Sequence, residues 1–386
     1  KLLSDISIPS IRIIEDYVFY EFESLTKLII PSSVQQIGSN SFSNISEISI
    51  DPYNTQIEDN SFNSIDHLII RASTNKFIEC MKHYQKAKKI TISDGFTSIE
   101  NNAFAYCPNL KEIDIPSSVT EIGSNAFCEC RNLIKISIIG PIKIIRESTF
   151  KKCDKLEEVS ISQTVTKIEK KAFKKCTSLK IITELNSLTS INSDAFNGCS
   201  SLEYYNIPKS VTYIGSGAFS GCSSLKCFSI PQSITYIGSS VFNKCESLIK
   251  IEIPESTKLK SIEANTFKFC NHIKEIRIPE SIEEILDNAF NGCISIEKII
   301  IPKSVKKIGN KAFYRLECLT KIEIPESVNY IGQSAFSNCK SLKSLTIKSM
   351  KINVDNSAFE NCSSLEEINV PYKLLSTREK KRIFGE

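Results

Sequence analysis

Cysteine is the residue type in this chain whose number and spacing could most readily support chemistry. The chain has 15 cysteines, and thiols can form disulfides, bind metals as thiolates or act as nucleophiles. Most of them share one setting, three residues after a phenylalanine: Cys107, Cys130, Cys153, Cys176, Cys199, Cys222, Cys245, Cys270, Cys293, Cys339 and Cys362. There is no Cys-x-x-Cys pair and there are only 3 histidines, so the pattern does not indicate a zinc site.

A fixed place after phenylalanine instead indicates a structural role. If the chain repeats, these cysteines fall one above another, and we expect each to be a small buried hydrophobic residue with a weak S–H donor. Their side chains would point the same way, which is poor geometry for disulfides. The cysteines outside this column are the better candidates for exposed thiols: Cys80, Cys128, Cys227 and Cys318.

No other pattern supports catalysis. The sequence lacks the His-Glu-x-x-His, Gly-x-Ser-x-Gly and phosphate-loop motifs, and Gly215-x-Gly217 has Ser220 where a dinucleotide site needs a third small residue. We therefore expect no enzyme, no catalytic residue, no cofactor and no metal. A net charge of +4 from 48 basic and 44 acidic residues predicts no nucleic-acid partner. No apolar run reaches the length of a membrane span, so we expect no membrane insertion by this segment.

The elements that position these cysteines repeat with a fixed period. The phenylalanine recurs every 23 residues from Phe104 to Phe242 and, after a two-residue insertion, again from Phe267 to Phe359. A period in the twenties predicts a solenoid, in which each unit buries its apolar face against its neighbours.

One repeat shows how the unit is built. Ile113 and Ile115 alternate with polar residues as in a strand, and Pro116 ends it. Gly123 permits a tight corner, and the spacing from Phe127 to Cys130 to Leu133 fits a short helical or 3₁₀ segment. The predicted fold class is an α/β solenoid. It is an arc with one long parallel sheet on the concave face and turns or short helices on the convex face.

The sequence predicts one solenoid over residues 1–371, with about 16 coils by the count of ~23-residue repeats. The coils at 43–103 are irregular, and the spacing of Phe77, Ile78, Met81 and Tyr84 predicts a longer helix within Ala72 to Lys89. Residues 372–386 begin with a capping-box pattern and predict a charged helical cap.

The repeat quoted above, ending in Ala-Phe-x-x-Cys, resembles the BspA-like branch of the leucine-rich repeats. The resemblance runs from Ile6 to Pro371, with gaps near 51–60 and 72–89. Proteins of this type occur on bacteria and in protist parasites, often as surface antigens or adhesins that bind host proteins. The resemblance therefore implies a protein-binding role at a cell surface, and it carries no catalytic residues.

A binding site is expected on the exposed side chains of the main strands. Glu112, Lys135 and Glu158 alternate in charge along this column, and such pairs can neutralise one another across the sheet. The alternation stops in an uncharged window, and charge depletion with tyrosine is typical of an interface core. The candidate protein-binding residues are the window and two tyrosines at the adjoining corner: Ile181, Thr183, Tyr204, Asn206, Cys227, Ser229, Tyr213 and Tyr236.

Two functions remain open from the sequence. The first is a cell-surface antigen or adhesin that contacts host or matrix proteins, and the second is an intracellular scaffold or regulator with an internal partner. The chain begins at Lys1 within a repeat, so we expect a fragment or a processed form, and targeting signals do not separate a cell-surface or extracellular location from the cytoplasm. We expect a monomer. Asn44 and Asn361 begin triplets that match the N-glycosylation acceptor.

Overall fold

The fold is a parallel β-solenoid of about 15 turns. A computed structural model describes residues 5–8, 10–22, 25–51, 55–71 and 85–371. The chain divides into two compact units, Lys1–Ser187 and Leu188–Glu386, which are described one at a time. The predicted helix between Ala72 and Lys89 falls mostly outside the described residues, although β-structure already begins at Ala87. The predicted cap at 372–386 lies wholly outside them.

Short strands make up all the regular structure described in the first unit. In chain order they are β1 Asp5–Ser7, β2 Ile13–Ile14, β3 Lys27–Ile29, β4 Gln36–Ile37, β5 Phe42–Ile50, β6 Gln56–Ile57, β7 Phe62–Ile70, β8 Ala87–Ile92, β9 Ser98–Ile99, β10 Glu112–Ile115, β11 Glu121–Ile122, β12 Lys135–Ile138, β13 Ile144–Ile145, β14 Glu158–Ile161, β15 Lys167–Ile168 and β16 Ile181–Ile182.

The first unit contains one long parallel sheet built from one strand of each turn, which we call the main strands. Its order is β1-β3-β5-β7-β8-β10-β12-β14-β16. The register is set by alternation: Ile113 pairs with Ile136 and both are buried, while Glu112 pairs with Lys135 and both are exposed. Because the two faces of a strand alternate, a slip of one residue would expose the whole isoleucine column.

In two irregular turns of the first unit no cysteine follows the phenylalanine by three residues, and Phe42 and Phe62 are only 20 residues apart. There the strand continues through the missing segment, so that β5 and β7 are each nine residues long. They pair from Phe42 opposite Phe62 to Ile50 opposite Ile70.

The second unit repeats the scheme with shorter pieces of sheet. Its strands are β17 Ser190–Ile191, β18 Tyr213–Ile214, β19 Cys227–Ser229, β20 Tyr236–Ile237, β21 Lys250–Glu252, β22 Ser261–Ile262, β23 Glu275–Arg277, β24 Glu284–Ile285, β25 Lys298–Ile300, β26 Lys307–Ile308, β27 Lys321–Ile324, β28 Tyr330–Ile331, β29 Ser344–Ile347, β30 Asn353–Val354 and β31 Glu367–Asn369. Its main strands form three parallel sheets, β19-β21, β23-β25 and β27-β29-β31. The expectation of one long sheet therefore fails in this unit.

A second strand in each turn was not predicted from the sequence. It has two residues, an exposed or half-exposed one and an isoleucine or valine, and it precedes the corner; we call these the corner strands. In the second unit β17, β18 and β20 pair in that order, and β22-β24-β26-β28-β30 form another parallel ladder. Gly123 follows such a strand at the corner, as predicted, and its φ is not positive, so a left-handed backbone is not the reason for glycine there. A Cβ there would lie 2.4 Å from the backbone nitrogen of Asn101 in the preceding turn, so glycine is needed for close approach.

The predicted short helices are wrong, because the described residues form turns at that place. Asn125 and Glu129 have φ of 55° and 60°, and left-handed residues at this spacing interrupt a right-handed helix. The N–H of Asn125, Phe127 and Glu129 donate to carbonyls of the next turn at 2.8–2.9 Å. This outer segment is thus a third ladder between turns, which a helix bonded within itself could not make.

Stacked phenylalanine rings fill the core of each unit. In the first unit, Phe104, Phe127 and Phe150 lie in a row with ring centroids 5.5 Å apart and nearly parallel planes. In the second unit, Phe290 and Phe313 repeat this geometry at 5.4 Å. Each such pair contributes about 0.5–1.5 kcal/mol beyond the burial of its area. All of these rings are fully enclosed, so each turn depends on its two neighbours.

The cysteine column is confirmed as a buried structural feature. Its members are free thiols, buried except for the half-buried Cys362. The Sγ of Cys130 donates to the carbonyl of Phe104 in the preceding turn at 3.0 Å, and Cys293 does the same to Phe267 at 3.0 Å. Burial raises the pKa of the Cys222 and Cys293 thiols to about 12. These thiols are protonated donors near neutral pH.

The cysteines outside the column differ in exposure. Cys227 and Cys318 are exposed, as predicted. The exposure predicted for Cys128 is wrong: it is buried, and desolvation raises the pKa of its thiol. Cys80 lies outside the described residues.

Alkylation of the native protein near pH 8 should therefore modify Cys227 and Cys318 while the column cysteines other than the half-buried Cys362 stay unmodified. These other column thiols are buried and protonated, and thiolate is the reactive form. Mass spectrometry of peptides labelled before and after denaturation measures this directly. Disulfides within the column, or column labelling as fast as that of Cys227, would contradict it.

Replacing Phe219 by alanine should lower the free energy of unfolding by about 3–5 kcal/mol, because it leaves a cavity. Phe219 touches the rings of Phe196, Phe228 and Phe242. Hydrogen exchange should speed up most in these neighbouring turns. Replacing the exposed Tyr236 by alanine is the control and should cost much less. Equal acceleration in every turn, or a cost matching that of Tyr236→Ala, would contradict the nearest-neighbour account.

Candidate functional site

The eight residues predicted as a binding site are divided between the two units. Ile181 and Thr183 belong to the first unit, and the other six belong to the second. Ile181 is 59% exposed beside Glu158, its pairing partner. The Thr183 hydroxyl accepts the N–H of Ile161 at 3.0 Å and donates to the carbonyl of Val159 at 3.4 Å. The Thr183 hydroxyl thus extends the hydrogen bonding between turns beyond the end of β16 and has a structural role.

Four of the predicted residues lie together in the second unit. They line a shallow depression with a volume of about 490 Å³, whose lining is Tyr204, Tyr205, Asn206, Ile207, Lys209, Cys227, Phe228, Ser229, Pro231, Lys250 and Glu252. Tyr204 and Cys227 are joined by an isolated β-bridge, and β19 continues from Cys227 to Ser229. We call this the Tyr204 depression.

Two buried aromatic rings form the base of the Tyr204 depression. Tyr205 and Phe228 take the inward place that isoleucine holds in most other turns. Tyr205 packs against Phe196 and Phe219 at 5.0 and 5.5 Å, and Phe228 packs edge-on against Phe242 at 4.6 Å. Residues 204–206 make a single bridge here instead of a strand. Burial alone raises the pKa of the Tyr205 hydroxyl, which accords with a structural place for this ring.

The centre of the Tyr204 depression is uncharged and its edge is charged. Tyr204 is 59% exposed, and the Lys226 ammonium lies 5.5 Å from the centre of its ring while donating to Glu203 at 2.6 Å. On another side, Lys250 and Glu252 form an ion pair at 2.6 Å. A hydrogen bond from Lys250 is the largest cause that lowers the pKa of the Glu252 carboxyl, and a hydrogen bond from Ser229 lowers it further. These two ion pairs are matched in charge, Lys209 adds one positive charge to the lining, and the exposed ring and thiol face outward between the pairs.

The two corner tyrosines lie outside the lining of this depression. Tyr213 and Tyr236 pair across β18 and β20, and their rings stack at 5.1 Å with an angle of 11° between planes. They are 38% and 44% exposed. They form a separate aromatic surface on the corner strands. The site on the main strands was expected to extend to these tyrosines, but the two groups share no cavity.

The alternating charges predicted for the first unit do neutralise one another. Lys135 and Glu158 are 2.7 Å apart, and Lys89 lies 3.7 Å from Glu112. Glu112, Lys135 and Glu158 line a second depression of about 400 Å³ around Ile134 and Ser137. Its lining has no aromatic residue, whereas that of the Tyr204 depression includes three.

A row of hydrogen-bonded polar side chains crosses the main sheet of the first unit, and it was not predicted from the sequence. His67 lies 3.2 Å from Glu47 through Nδ1 and 2.8 Å from the Thr91 hydroxyl through Nε2. The order Glu, His, Thr is that of a catalytic triad. However, Thr91 donates its proton to Asp114 at 2.9 Å, so His67 meets the hydroxyl as a donor and is not placed to act as its base. Lys27, the larger influence, and His67 both lower the pKa of Glu47.

Over the residues that the structure describes, no group of three or more His, Cys, Asp or Glu side chains is arranged to hold a metal ion. In the same part of the chain, no helix has the length and apolar character needed to cross a membrane.

Comparison with known proteins gives one family and one fold. The family described as "BspA type Leucine rich repeat region" matches residues 1–81, 78–203, 189–320 and 283–381. A leucine-rich repeat protein from Bacteroides ovatus is 25% identical with a TM-score of 0.67, over 99% of this chain and 89% of that one. A leucine rich cell surface protein from Faecalibacterium prausnitzii is 24% identical with a TM-score of 0.44, over 98% and 90%. The pneumococcal vaccine antigen PcpA is 20% identical with a TM-score of 0.46, over 93% and 86%. A search of curated proteins finds no significant match.

Proposed function

The chain belongs to the BspA-type leucine-rich repeat family, and on that premise we propose that it is a non-enzymatic protein-binding module of a cell-surface antigen or adhesin. Its partner is a host surface protein or an extracellular-matrix protein. The family resemblance supports the surface role. The contact residues are proposed from the geometry of this chain, because the repeat motif itself is structural.

The observation that carries the proposal is the Tyr204 depression. An exposed tyrosine stands on a rigid base of buried rings, with neutral Asn206, Cys227 and Ser229 beside it. Interface cores are depleted in charge and enriched in tyrosine, and their rims are polar. Tyrosine is also among the residues that dominate binding energy when a partner excludes water around it.

The charged edge suits a separate task. The ion pairs Lys226–Glu203 and Lys250–Glu252 are both well exposed, so each contributes little to stability. Exposed rim charges affect the rate of association and the choice of partner more than the final affinity. We therefore assign affinity to Tyr204 and its neutral neighbours, and steering to the edge.

An intracellular scaffold is the second candidate function. The observation that favours it is the column of reduced thiols, since reduced cysteines are the rule in the cytosol. Burial protects the same thiols in an oxidising environment, so the column is compatible with both locations. The family resemblance makes the surface role the leading proposal.

Replacing Tyr204 by alanine should weaken binding to a protein partner at least ~10-fold, because truncation of a central tyrosine commonly costs 2 kcal/mol or more. The partner is first captured from matrix or host-surface extracts, then purified and measured by titration calorimetry or surface plasmon resonance. Tyr204→Phe keeps the ring and should retain most of the affinity. Glu112→Ala, in the charged depression of the first unit, is the matched surface control and should change affinity little.

Two outcomes would contradict the proposal. If Tyr204→Ala and Glu112→Ala had equal effects, the site would lie elsewhere in the chain. If only cytosolic extracts yielded a partner, and that partner required Tyr204, the binding surface would stand and the extracellular role would be wrong.

A further inference from the structure

The first unit contains a stretch with an excess of positive charge. Residues 143–180 contain eleven lysines and arginines against five aspartates and glutamates, whereas the whole chain has a net charge of only +4. This surface is separate from the Tyr204 depression and does not depend on the function proposed for it.

Six of these lysines are brought together by the repeat. Lys151 and Lys152 precede Lys174 and Lys175 by one period of 23 residues. The N–H of Lys152 donates to the carbonyl of Lys174 at 2.8 Å, and the rings of Phe150 and Phe173 beneath them stack at 5.2 Å. Lys170 and Lys171 lie at the start of the same outer segment, where the carbonyl of Lys170 accepts the N–H of Ser148 at 3.0 Å. All six are exposed or half-exposed, and we call them the lysine surface.

The backbone at these positions is unfavourable for lysine. Lys152, Lys171 and Lys175 have φ of 60°, 58° and 62°, a left-handed conformation that glycine and asparagine adopt more readily. Other turns place Asn125, Gly198 or Gly221 at equivalent positions. In the described chain, lysine or arginine holds such a position in two successive turns only here. The repeat therefore places left-handed lysines one above another in this unit.

The nearby carboxylates are largely engaged by other lysines. Glu157 pairs with Lys180 at 3.0 Å, Glu158 with Lys135 at 2.7 Å and Glu169 with Lys167 at 3.2 Å. Within the lysine surface, Lys152 shares Glu129 with Arg131, at 2.6 and 2.8 Å. The local acids therefore leave an excess of positive charge on this side of the turns.

The chemistry of the surface selects one class of polyanion. All six residues are lysines, which act as hydrated point charges, whereas arginine is preferred for bidentate phosphate recognition. The only aromatic residues of 143–180 are Phe150 and Phe173, which are buried, so no ring is available to stack on nucleobases. Membrane surfaces are usually bound by an amphipathic helix with an apolar face, and this segment consists of turns.

We propose that the lysine surface binds a sulfated polysaccharide. The six ammonium groups, spaced by the period of the solenoid, would contact the sulfate groups of one extended chain. Binding would release counterions and weaken as salt concentration rises.

The test measures binding of the full chain to heparin by surface plasmon resonance across a series of salt concentrations. Chemically desulfated heparin, duplex DNA and phosphatidylserine vesicles are run in parallel. In the test variant, Lys151→Asn, Lys152→Gly, Lys174→Asn and Lys175→Gly introduce the residues of the turn that carries Asn197 and Gly198. The matched control, Lys244→Gly, Lys268→Asn, Lys311→Asn and Arg315→Gly, removes the same charge from the same outer segment in the second unit.

The test variant should bind heparin at least ~10-fold more weakly near 0.15 M salt, with a shallower dependence of log K on log salt concentration. The control should stay within about 2-fold of the parent, and desulfated heparin should bind poorly. The proposal is wrong if both variants lose affinity equally, if neither does, or if DNA or vesicles bind as tightly as heparin. Circular dichroism verifies folding, and Lys174→Asn with Lys175→Gly alone provides the same comparison if the fourfold variant does not fold.

Discussion

Each turn of this chain has backbone N–H groups whose hydrogen-bond acceptors are carbonyls of an adjacent turn, and the rest of the fold depends on that constraint. Main strands, corner strands and outer segments all bond to the turn before or after, as from Ile113 to Ile136, from Ser261 to Glu284 and from Phe127 to Thr149. Buried polar groups must be paired, so each turn repeats the path of its neighbour at a spacing of about 4.7–4.9 Å. That spacing stacks the phenylalanine rings and brings each column thiol to a carbonyl of the preceding turn. It also turns any repeated surface residue into a row, which is how Lys151 and Lys174 come to lie side by side.

The sequence predicts the stacking direction well and the path within a turn less well. The period, the buried Phe127 and Cys130 and the alternation around Ile113 follow from spacing and hydrophobicity alone, and the structure confirms them. The short helices were wrong because the spacing from Phe127 to Cys130 fits both a helical turn and a pair of β-turns. What decides between them is the left-handed conformation of Glu129 and its equivalents, and neither glutamate nor lysine is typical of that conformation. The corner strands were missed because two residues are too few to show alternation.

The candidate site was partly predictable for a similar reason. Exposed residues of the main strands can be predicted from their place in each repeat unit, which identified Tyr204, Cys227 and Ser229. The same count puts Tyr205 and Phe228 at the inward isoleucine place, but it does not show that the strand at Tyr204 is reduced to a bridge or that a depression forms over those two rings. Total charge was likewise misleading, since a net +4 over the chain conceals the excess at 143–180. In both cases the functional proposals arise where a turn departs from its neighbours, while the repeat itself accounts for stability.

The central claim is that one turn of 23 residues is the structural unit and that it is held only by its neighbours. Deleting the 23 residues from Ala289 to Lys311 joins Asn288 to Ala312 in register and removes one turn with its cysteine, Cys293. The shortened protein should fold cooperatively, keep its circular dichroism per residue and protect one column thiol fewer from alkylation. A control deletion from Ala289 to Ile300 removes about half a turn by the ~23-residue period and should expose thiols in the adjoining turns. Global unfolding after the one-turn deletion, or equal tolerance of both deletions, would contradict the account.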